Sequence, residues 1–93
     1  MGSSGMELGT VVGNVISTNK YEGLQGYKLL MVEIGLRDEK RVIVAGDTLG
    51  AGIGQWVLIC QGSSVQHALR NPAPLDALVV GIVDNPPVLQ AGI

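Results

Sequence analysis

The 93-residue sequence contains no phenylalanine, two tyrosines, one tryptophan and a single cysteine, Cys60. One cysteine permits no internal disulfide, and no second thiolate stands by to complete a zinc site. Charge is scarce as well: Asp, Glu, Lys and Arg make up 15% of the chain, where about 25% is usual. The formal net charge is −2, and of the six basic residues only Lys40 and Arg41 are adjacent. That pattern leaves no electrostatic footprint for nucleic acid. Single-strand binding would need aromatic platforms in a positive groove, and Tyr21, Tyr27 and Trp56 are all the aromatics there are. No apolar run approaches the ~20 residues that cross a bilayer, and no charged-then-apolar leader opens the chain. The expectation is a soluble, cytoplasmic protein with neither a nucleic-acid nor a membrane partner.

What the chain does have is apolar content and glycine. Hydrophobic residues reach 46%, and there are 14 glycines. The opening MGSSG reads as an expression-tag remnant (residues 1–5), which leaves 6–93 as one domain with one modest core. So small a domain has more apolar residues than one interior can hold, so self-association is expected before any motif is considered.

The apolar runs are short and rich in β-branched residues, which favours strands over helices. They cover 9–18, 28–36, 40–46, 55–61 and 76–84. Turn-formers separate them: Glu22-Gly23, Gln25-Gly26, Arg37-Asp38-Glu39, a glycine cluster and Asn71-Pro72-Ala73-Pro74. Five strands at this spacing predict an all-β fold, a small OB-like closed barrel, with Gly13 and Gly81 as bend points inside their strands. One short helix is expected over 63–71, capped by Ser63 or Ser64 and stopped at Asn71-Pro72. Beyond Asp84 the tail 85–93 carries Pro86-Pro87 and is expected to stay extended, as an edge strand or an arm on a neighbour.

The stretch Gly46-Asp47-Thr48-Leu49-Gly50-Ala51-Gly52-Ile53-Gly54 invites a nucleotide-binding reading. The dinucleotide fingerprint needs a third glycine where Gln55 stands and a helix where the strand Trp56-Val57-Leu58-Ile59 follows. The phosphate loop needs Lys-Ser/Thr where Gln55-Trp56 stand. A turn with positive-φ glycines fits better. Ser64, His67 and Asp76 make a hydrolytic triad only on paper, since the nucleophile elbow is absent. Asp47, Asp76 and Asp84 flank strands, where carboxylates commonly bond nearby backbone N–H groups. No catalytic, cofactor-binding or metal-ligating constellation is expected, so the chain is not expected to be an enzyme.

Four stretches in order carry a resemblance: GTVVGNVISTNK, LQGYKLLMVE, VAGDTLGAGIGQWVLICQGSS and PLDALVVGIVD. Together they resemble the EutN/CcmL family, the pentameric vertex proteins of bacterial microcompartment shells. Thr18 and Lys20 match the family's T-x-K, and Asp47 with Gly50, Ala51, Gly52, Ile53 and Gly54 matches its D-x-x-G-A-G-x-G. Ser63 and Ser64 match G-S-S, and Asp76 and Asp84 the acids bracketing the last strand. The family usually has Glu where Gln55 stands and Ala-Arg where Val65-Gln66 stand; both departures remove a charge. The resemblance implies a homopentamer that caps shell vertices beside hexameric or trimeric shell proteins, with Gly50–Gly54 at the ring axis and no cofactor. A small β-barrel binding module, for single-stranded nucleic acid or a small ligand, is the alternative.

Overall fold

The computed structural model describes residues 5–17, 20–35, 37–69 and 73–85, with the Arg37 side chain left out. Five strands run in chain order: β1 (Gly5–Val15), β2 (Lys28–Ile34), β3 (Arg41–Asp47), β4 (Trp56–Gln61) and β5 (Ala77–Val83). They close into a barrel in the order β1-β2-β3-β5-β4. All neighbours are antiparallel except β3 and β5, which run parallel through Gly46 and Leu78.

Barrel closure explains where the in-strand glycines fall. β1 shifts register between Val11 and Gly13, and the β4–β5 ladder shifts at Leu58/Ile59, where Leu58 pairs with Gly81 and Ile59 with Val79. Gly13 and Gly81 therefore sit at the two bulges, as expected from sequence, and each bulge bends its strand around the barrel. Gly9 has a different reason. A Cβ there would lie 2.5 Å from Val32 Cγ1 and 2.7 Å from Ile34 Cγ2, so the inward face of β1 has no room for a side chain.

The barrel interior is read off the ladder partners. Val11, Leu30, Val32, Ile34, Ala45, Val57, Ile59, Ala77 and Val79 fill it and are shielded from solvent. The inward positions turn polar at both mouths. Ile34 pairs with Arg41, Ile59 with Glu7 and Ala77 with Gln61, which places Arg41, Glu7 and Gln61 on the inward face at one mouth. There Glu7 Oε2 accepts hydrogen bonds from Arg41 Nη2, at 3.3 Å, and from Gln61 Nε2. At the other mouth Lys28 pairs with Asp47. A second apolar layer lies outside the barrel, where Tyr27, Leu69 and Leu75 pack on Cys60, Val65 and Leu78.

Three expectations need correction. β1 begins at Gly5, not at residue 9, and Gly5 pairs with Gln61; ladder hydrogen bonds use the backbone, so a strand can extend past its apolar run. The helix is a single turn, α1 (Val65–Ala68), after a 3₁₀ turn over Gly62–Ser64. Ser64 is itself helical (φ −69°, ψ −17°) and makes no side-chain cap, since an N-cap needs extended backbone. Its hydroxyl instead donates to the Gln61 carbonyl at 3.0 Å. Leu69 is already extended (ψ 140°), because the chain there is tied back: Gln66 Nε2 donates to the carbonyls of Ala73 and Leu75, each at 3.1 Å. The tail from Pro86 onward and Asn71-Pro72 lie outside the described residues.

Gly9→Ala should cost about 1–3 kcal/mol by overpacking the barrel wall. Urea unfolding of the two proteins side by side checks this; an unchanged midpoint would contradict the crowding.

Candidate functional site: the loop that caps the barrel

The chain leaves β3 at Asp47 and enters β4 at Trp56, yet β3 and β4 are not neighbours: β5 lies between them. The glycine cluster is therefore not a hairpin turn but a loop that crosses a barrel mouth. Asp47 organises it. The carboxylate is 1% exposed and accepts three backbone hydrogen bonds. Leu49 N reaches Oδ1 at 3.0 Å, while Gly50 N and Ala51 N reach Oδ2 at 3.1 and 2.9 Å. A buried carboxylate is costly without partners, and amide donors facing an ionised acceptor are among the stronger hydrogen bonds. Here the charge and three otherwise unpaired amides satisfy one another.

The rest of the loop is pinned as well. Gly52 N donates to Gln55 Oε1 at 2.7 Å, and Gln55 N to Gly52 O at 3.1 Å. Gly54 N donates to Val11 O at 2.8 Å and Val11 N to Gln55 O at 3.0 Å, which stitches the loop to the β1 bulge. Lys28 Nζ makes a long contact, 3.5 Å, with Ala51 O.

The five central residues then divide by role. Gly50 (φ +90°) and Gly54 (φ +93°) hold left-handed backbone that other residues adopt only under strain. Ala51 is fully buried and belongs to the barrel core, so its side chain plugs the mouth rather than facing outward. Ile53 is 64% exposed. Gly52 lacks a positive φ, and a Cβ on it would meet only Gln55 Oε1, at 3.7 Å. Nothing among the described residues requires glycine at 52.

The remaining sequence-flagged residues do not converge on this loop. Lys20 Nζ donates to Tyr27 O at 2.9 Å and closes the segment between β1 and β2. The Asp76 carbonyl accepts from Gly62 N at 3.0 Å, while the Asp76 and Asp84 side chains are exposed. Ser63 is exposed, in the middle of the 3₁₀ turn, and Thr18 lies outside the described residues. Ser64 Oγ and Cys60 Sγ lie 3.0 Å apart, so the serine of the paper triad is engaged with its own strand. Among the described residues no group of three His, Cys, Asp or Glu side chains could hold a metal ion. Sequence reasoning read Asp47 as one of several strand-flanking acids; only three-dimensional closure shows that it organises the loop. It also missed the polar cluster of Glu7, Arg41 and Gln61, whose signal was a charged or amide residue at the inward parity of each strand.

The family model described as "Ethanolamine utilisation protein EutN/carboxysome" matches residues 6–84. The chain belongs to the EutN/CcmL family. It is 45% identical over 86 residues to the carboxysome shell vertex protein CcmL of Synechocystis, covering 86% of this chain and 84% of that protein. It is 44% identical over 85 residues to the bacterial microcompartment shell vertex protein GrpN of Rhodospirillum rubrum, covering 86% and 94%. Among solved structures, an ethanolamine utilization protein EutN superposes with a TM-score of 0.78 at 41% identity, covering 92% of each chain. The pentameric microcompartment shell protein GrpN gives 0.72 at 41% identity, covering 88% of this chain and 99% of that one. Gln55 and Gln66 both fold back onto their own chain, as described above.

Asp47→Ala should destabilise the protein by about 2–4 kcal/mol, because it leaves three amides without their acceptor. Asp47→Asn, which keeps one acceptor oxygen, should lose less. Gly50→Ala should cost about 1 kcal/mol through its positive φ, whereas Gly52→Ala should leave the protomer's stability unchanged. Denaturant titration of the four variants checks the ranking.

Proposed function

We propose that this chain is a structural protein that assembles as a homopentamer and caps the vertices of a bacterial microcompartment shell in the cytoplasm. The observation that carries this reading is the match, over most of the chain, to proteins named as shell vertex proteins, one of them a structure described as pentameric. A closed shell cannot be tiled by hexagons alone, so a fivefold piece is needed at each corner, and that role requires shape rather than catalysis. Its neighbours in the shell would be hexameric or trimeric facet proteins.

The loop geometry supports placing Gly50–Gly54 around the ring axis. It is held by Asp47 and by β1, and it carries at Gly52 a glycine that no contact among the described residues requires. Convergence of five backbones at an axis supplies the reason, because a side chain there would meet its copies. The binding-module alternative lacks a platform. Tyr27 is packed into the outer apolar layer, Trp56 is half-buried at the start of β4, and Tyr21 stands on a separate turn.

Native mass spectrometry should give about 48 kDa, five times the 9.7 kDa chain. Gly52→Leu should keep the folded protomer but lose the five-copy mass. A wild-type protein that runs as a single chain would contradict the reading; a Gly52→Leu protein with an intact ring would contradict the axial placement.

A further inference from the structure

Outward positions on a barrel strand that faces water should be polar. β3 breaks that rule. Its outward residues are Val42, Val44 and Gly46, while its charged residues, Arg41 and Asp47, occupy inward positions at the two mouths. A strand apolar on both faces is the pattern of one buried on both sides. The chain covers part of this outer face itself: a Cβ on Gly46 would come within 2.7 Å of Leu75 Cδ1 and 3.4 Å of Tyr27 Cδ1. Toward the other end of β3 no such cover is present among the described residues, and Val42 and Val44 are 51% and 49% exposed.

The uncovered area is continuous across three strands. Met31 of β2 pairs with Val44 on one side and Gly13 on the other, and Val12 is the extra residue of the β1 bulge beside them. A Cβ on Gly13 would meet Met31 Sδ at 3.4 Å, so the thioether lies over the glycine and flattens the surface. The one charge among the outward positions of β2, Glu33, has Lys40 3.9 Å away. The result is a flat apolar face with a flexible methionine at its centre, the kind of surface that repacks readily against another protein.

We propose that this face, Val12, Met31, Val42 and Val44, is where the next copy of the chain sits in the ring. The proposal rests on the pentameric reading above. A cyclic ring is built from heterologous contacts, so each copy must present one surface that is covered by a different surface of its neighbour. A face this apolar needs cover in the assembled state, and the occupant that the pentameric relative supports is another copy of the same chain.

The test is Val44→Lys, which puts a charge on the face next to Met31 and makes no change in the barrel interior. Native mass spectrometry and circular dichroism are read together with the wild type. The expected result is a folded single chain of 9.7 kDa, with the five-copy mass lost, against a five-copy wild type. Should the lysine variant fail to fold, the double change Val42→Thr with Val44→Thr keeps β-branching and decides in its place by the same loss of mass. A folded variant that still gives five copies would overturn this surface while leaving the ring standing; if it then failed to join shells, the face would belong to a facet protein instead. A wild type that is itself a single chain would overturn the ring and this surface with it.

Discussion

Three backbone amides converging on one buried carboxylate hold the rest of this structure in register. β3 and β4 are separated by β5, so the connection between them must cross an open mouth of the barrel. A crossing segment has no ladder partner for its own amides. Asp47 supplies one, as the last inward residue of β3, and by pulling in Leu49, Gly50 and Ala51 it turns the loop down so that Ala51 enters the core. The same pull fixes the height of Gly52 to Gly54 above the mouth, where Val11 completes the attachment. A loop held at both ends can be presented to other copies with little ordering cost.

The barrel follows a common logic at its two ends. Inward columns that are apolar in the middle become polar where water could enter: Asp47 and Lys28 at one mouth, Glu7, Arg41 and Gln61 at the other. The exposed ion pair at the second mouth, Arg41 with Glu7, contributes little stability by itself; with Asp47 and Lys28 it places four charges at the mouths. Part of the outer wall, at Val12, Met31, Val42 and Val44, is apolar and exposed. A monomer in water would gain nothing from that distribution, whereas a subunit in a closed shell has walls that meet other subunits.

Much of this was legible in the sequence because strands with β-branched cores and glycine-marked bends announce themselves locally. Gly13 and Gly81 were readable as bend points since bulges in small barrels fall at such glycines. What local pattern could not reveal was long-range pairing. The extension of β1 to Gly5 depends on Gln61 lying alongside. The early end of α1 depends on Gln66 being drawn to Ala73 and Leu75, which overrode the helical spacing of Val65, Ala68 and Leu69. Gln55 and Gln66 looked like lost interface charges; in the fold both serve their own chain. Asp47 is the clearest case, because an acid beside a strand end is ordinary, and its three amides become visible only once the loop is seen to cross β5's flank.

The central claim is that the mouth closed by Asp47 is the end of the barrel that gathers around the ring axis. A crystal structure of the assembled protein tests it most directly. The account predicts five copies of residues 50–54 surrounding the axis, with Gly52 of each nearest to its neighbours. A ring in which the opposite mouth, with Glu7, Arg41 and Gln61, surrounds the axis would contradict it.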